Sequence, residues 1–99
     1  METEPSNRAL PGGELITQGL ADLAQGRISD SSLLLLVAAP RLKALGIHIP
    51  EVAFPGPYEH QLYTLLEERL GSAAHSHYNS LIRRVVSYAH ALEREQSNR

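Results

Sequence analysis

Residues 33–39 are seven consecutive apolar residues followed directly by Pro40, and this run constrains the fold more than any other feature of the chain. Four leucines and two alanines stand against one β-branched residue, Val37, and no two-residue alternation appears, so helix is favoured over strand. A helix that is apolar on every side is expected to be buried on every side, which makes this segment the centre of a domain with other helices around it. Pro40 has no amide proton and crowds the turn before it. The helix is therefore expected either to kink there or to stop near Ala39, with Pro40 opening a new short helix through Leu45, closed by Gly46. Seven residues fall far short of the ~20 that span a bilayer, so no transmembrane segment and no membrane partner are expected.

The flanks supply the surrounding helices. Residues 1–13, punctuated by Pro5, Pro11, Gly12 and Gly13, read as a flexible leader, with structure beginning near Glu14. Ile16, Leu20, Leu23 and Ala24 then recur at helical spacing, with Glu14, Gln18, Asp22 and Gln25 on the polar side and Gly26 placed for a left-handed cap. Ser29 or Asp30 is suited to cap the next helix. Three prolines in 47–57 favour an extended but ordered connector, pinned by Ile47, Ile49, Val52 and Phe54. Beyond it, Tyr58, Leu62, Leu65, Leu66 and Leu70 form one apolar face, with His60, Thr64, Glu67 and Glu68 largely opposite. Tyr78, Leu81, Ile82, Val85, Ala89 and Leu92 form a second apolar face, with Val86 and Tyr88 at its margins. A link as short as Gly71 and Ser72, with Ser72 as N-cap, predicts an antiparallel pair. The expected fold is thus all-α, a small four- or five-helix bundle with a C-terminal antiparallel helical hairpin. The domain is expected over 14–96, with fraying in the polar end from Arg94 and a frayed tail at 97–99.

Charge and residue usage narrow the functional classes. Nine basic against eleven acidic side chains give a formal charge of -2, so no overall field draws the chain to nucleic acid or an anionic membrane, and nucleic acid is not the expected partner. The absence of cysteine removes disulfides, thiolate metal sites and a thiol nucleophile together. The N-terminal stretch has neither a secretory apolar core nor the Arg-rich character of a transit peptide, so cytoplasm is the expected compartment. No glycine cluster sits between a strand and a helix as a phosphate loop requires. Glu67 and Glu68 are adjacent and diverge by about 100° on a helix, so they form no acid and base pair.

Five histidines, His48, His60, His75, His77 and His90, raise a metal reading, but no two are three or four residues apart on one helical face; no metal or other cofactor is expected. The more coherent feature is a polar stripe on the last helix. At 100° per residue, Asn79, Arg83, Ser87, His90 and Arg94 fall within about 80° of one another, away from the apolar seam. Such a stripe is either a solvated face or a surface for an anion or an RNA backbone, with His90 as a proton-transfer group near neutral pH. An Arg followed a few residues later by His, late in an all-helical bundle, resembles the signature of the higher-eukaryote-and-prokaryote nucleotide-binding ribonucleases. Both Arg83 and Arg84 stand before His90, though only Arg83 shares its face. The resemblance covers about eight of 99 residues and lacks the polar residue usual after the arginine, since Val85 follows Arg84 and another Arg follows Arg83, so the family is not assigned. Tyr63 and Tyr88, at the edges of their apolar faces, are instead suited to contact a partner, while Asn79 and Ser87 are candidate binding groups as supporting donors beside Arg83 and His90. The expected function is a non-enzymatic helical protein-interaction module, homodimeric or docked to another protein. The alternative is a metal-independent ribonuclease or RNA-contacting domain using Arg83 and His90.

Overall fold

A computed structural model describes residues 10–53 and 55–97. Among them every regular element is helical and no strand occurs, as the sequence predicts. In chain order the elements are α1 (Gly13–Ala24), α2 (Asp30–Ala44), α3 (Tyr58–Leu70), a single 3₁₀ turn (Gly71–Ala73) and α4 (Ala74–Ser97). Helices α2 and α4 each pack against all three other helices, and the radius of gyration, 13.7 Å, is close to the ~13 Å of a compact chain of this length.

Helix α1 buries Ile16, Gly19 and Leu23 at helical spacing. It ends with Gly26 in the left-handed region at φ 71°, where the Arg27 amide donates back to the Asp22 carbonyl at 2.8 Å, satisfying a carbonyl the helix end leaves free. Helix α2 begins at Ser29 in a reciprocal cap. The Ser29 hydroxyl accepts from the Ser32 amide at 3.1 Å, and the Ser32 hydroxyl accepts from the Ser29 amide at 2.7 Å. This satisfies two donors that the first turn would otherwise leave unpaired.

One expectation for the central run is corrected, and the choice left open at Pro40 falls against a stop at Ala39. Leu33, Leu34, Leu35 and Leu36 are buried, but Val37, Ala38 and Ala39 are only half-buried, because α2 is enclosed by its neighbours over its first half and less so beyond. Nor does the helix stop at Ala39: Asp30–Ala44 is one element with Pro40 inside it. An interior proline costs ~3 kcal/mol, and burial of Leu42, which is fully enclosed, returns ~1.5–3 kcal/mol. That burial ties the last turn to the core, and Gly46 then closes the helix at φ 94°.

In the connector Ile49 is buried and Ile47 and Val52 are half-buried; Phe54 lies outside the described residues. Helix α3 starts and ends where its apolar period predicts and centres its burial on Leu62 and Leu66. The last helix starts at Ala74 after the 3₁₀ turn rather than at Ser72. It continues through Ser97, where Arg41 bonds Glu93 at 3.3 Å and the Gln96 side chain donates to the Leu45 carbonyl at 2.6 Å, joining its end to that of α2.

Candidate functional site

Two of the polar and aromatic residues read from the sequence as surface groups belong to the interior. Tyr88 is completely buried (0% exposed) and is core of the single chain, not a marginal contact residue. A tyrosine can enter a core when its hydroxyl is satisfied there, and burial pushes the Tyr88 phenol above its ordinary value, with Glu95 adding to the effect. Asp22, expected on the solvated side of α1, is 4% exposed. Its carboxylate accepts from the Ser29 hydroxyl at 2.6 Å and the Gln18 amide at 3.0 Å, and Arg27 stands at 3.8 Å. The Ser29 bond holds this carboxyl below its ordinary value against the opposing effect of burial, with Gln18 and Arg27 assisting. The group joins the end of α1 to the cap of α2 and has a structural explanation in full.

Tyr63 is half-buried and packs its ring between α3 and α4, 5.5 Å from Tyr78 and 6.4 Å from His75. It therefore serves the contact between the two helices directly. Asn79, half-buried, is likewise engaged along its own helix, its side-chain nitrogen 3.2 Å from Nε2 of His75. The rest of the predicted stripe, Arg83, Ser87, His90 and Arg94, is exposed.

Of these, Arg83 and Ser87 share an open depression of about 550 Å3 with Ser80, Arg84, Glu14 and the turn Leu10, Pro11 and Gly12. The start of α1 lies directly on α4 there. At Gly12, with φ 79°, a Cβ would stand 2.7 Å from the Arg84 carbonyl oxygen, so only glycine permits both the left-handed turn and the close approach. The Arg84 guanidinium bonds the Glu14 carboxylate. His90 is not among the lining residues; it lies two turns from Arg83, about 10 Å along the axis.

Sequence reasoning missed a second surface. Ile28, in the link between α1 and α2, is 54% exposed at the mouth of a groove of about 380 Å3 that runs along α3. Leu33 and Leu65 supply its apolar lining, and His60, Gln61, Thr64 and Glu68 its polar groups. The available signal was a lone isoleucine between Arg27 and Ser29, outside any helical period and so without an assigned core position.

No family model, curated protein or solved structure matches the chain. The residues themselves must carry the functional argument. Among the described residues no three His, Asp or Glu side chains converge as a metal site requires, and no helix is long and apolar enough to cross a membrane.

Proposed function

We propose that this chain is a non-enzymatic helical interaction module, homodimeric or docked to another protein, that makes contact through the groove on α3 of its C-terminal helical hairpin. The observation that carries this reading is Ile28. It is the most exposed large apolar residue described, and it stands beside half-buried Leu65 over a groove floored by Leu33. An aliphatic side chain left in water next to an apolar concavity is the arrangement that a partner's side chain can cover, with His60, Gln61, Thr64 and Glu68 as a polar rim.

A photo-crosslinking residue placed at position 28, in cells producing the protein, tests this directly. The expected result is one discrete adduct whose mass identifies a second copy or another protein, lost when Leu65→Glu is added, while the same probe at exposed Thr17 gives none. No adduct at 28 above the level at 17 removes the reading.

A further inference from the structure

Beyond protein docking, and independently of it, we propose that the depression between the start of α1 and α4 binds a small phosphate-class anion, held by Arg83 with Ser80 and Ser87. Of the arginines described, Arg27, Arg41, Arg69 and Arg84 each have a carboxylate partner; Arg83 and Arg94 have none among the described residues, and of these two only Arg83 lines the depression. The position of Arg83 is also particular, because it is exposed at the wall of an open depression whose volume, about 550 Å3, has room for a tetrahedral oxyanion. Ser80 and Ser87 stand about one turn before and one turn after it on α4, so two hydroxyl donors bracket the guanidinium. Planar guanidinium groups match phosphate oxygens in pairs, which a lysine could not do in the same place.

The second observation is Glu14. Its carboxylate enters the same depression from α1 and is bonded to Arg84, so one end of the depression already holds an anionic group on an arginine. Glu14 fills that end and bonds Arg84 rather than Arg83. It thereby limits the site to net charge +1, counting Arg83, Arg84 and Glu14 alone, and disfavours an anion by repulsion. Phosphate affinity in the wild-type chain is consequently on the order of millimolar, since the depression is open and surface charge pairs are weak. Removing the Glu14 charge strengthens binding.

The test is titration of the isotope-labelled chain with inorganic phosphate at constant ionic strength, read by NMR at the Arg83 side-chain Nε–H and the Ser80 and Ser87 amides, with chloride as the comparison ion. Phosphate is expected to shift these signals saturably and chloride not. Arg83→Gln is expected to weaken binding at least fivefold, Glu14→Gln to tighten it about two- to fivefold, and Arg94→Gln, which removes an exposed arginine outside the depression, to leave it unchanged. Circular dichroism confirms that each variant retains its helix content. Equal shifts with chloride, equal losses from Arg83→Gln and Arg94→Gln, or no change with Glu14→Gln each overturn the assignment.

Discussion

Gly19→Ala is the substitution through which the packing of this fold can be tested most sharply, because two well-understood effects oppose each other at that position. In the middle of a helix, alanine is favoured over glycine by ~1 kcal/mol, so propensity alone raises stability. The structure reverses this. A Cβ at Gly19 would lie 2.7 Å from Cγ of Leu35 and 2.7 Å from the Ser31 carbonyl oxygen, where ordinary contact begins at 3.4 Å. The shortfall is about 0.7 Å, and although the leucine could rotate, the carbonyl belongs to the first turn of α2 and cannot move alone. The two helices must separate along their most extensive interface. Overpacking costs ~1–3 kcal/mol, and with a backbone carbonyl as well as a side chain in the way the upper part of that range, about 2–3 kcal/mol, applies; after the propensity gain, a net loss of about 1–2 kcal/mol is expected. For a domain of this size that lowers Tm by roughly 5–15 °C, measured by thermal and urea unfolding. Ala21→Gly, on the exposed side of the same helix, is expected to cost ~1 kcal/mol, so both exchanges between glycine and alanine in α1 destabilise. If Gly19→Ala instead stabilises the chain, the close approach of α1 and α2 is refuted.

Two further expectations concern ionisable groups. The folded-state pKa of Asp22 lies below its ordinary value of 3.8, so its stabilising contribution is complete above that pH and is lost as pH falls through the lower, folded value; Asp22→Asn is therefore expected to flatten the acid limb of a urea-unfolding stability profile between pH 2 and 7, whereas limbs parallel to wild type would show that the carboxyl is unperturbed. For the alternative reading of the chain as a metal-independent ribonuclease, His90→Ala is expected to abolish RNA cleavage in the presence of a chelator without altering helix content; wild-type protein that leaves RNA intact under the same conditions defeats that alternative.

Much of the fold was legible because helix boundaries are written in local chemistry. Ser29 announces its cap through its own hydroxyl and that of Ser32, and Gly26 and Gly46 mark left-handed stops within a residue or two of each helix end. What was not legible depends on groups distant in sequence. Pro40 carries a strong local instruction to end a helix, and the structure overrides it where Leu42 is enclosed beyond it. Gly19 reads locally as a weak point in α1, whereas Leu35 and Ser31 stand so close to it that a Cβ has no room there. Asp22 has the polarity of a surface residue, but its seven-residue separation from Ser29 becomes a 2.6 Å hydrogen bond only once the chain has turned between α1 and α2.

The candidate surfaces divide in the same way. Periodicity correctly grouped Arg83 with Ser87 on the outer side of α4, since that grouping needs only 100° per residue. It could not tell which part of the stripe has a wall beside it, because that wall comes from Gly12 and Glu14, some seventy residues earlier, and from a glycine turn that lets α1 lie against the Arg84 carbonyl. The burial of Tyr88 follows from its position on α4. Tyr88 lies seven residues from Leu81, three from Val85 and four from Leu92, the spacings of a buried seam, and only the amphipathic character of tyrosine argued for the margin. Periodicity was the better guide there, because a hydroxyl can find a partner inside a core whereas a residue cannot change the side of its helix. Ile28 presents the converse. It has no period to obey, and an aliphatic residue in a link between helices is buried only if a neighbour comes to cover it. Among the described residues none does, and so an apolar residue that the helical pattern left unplaced carries the proposed reading.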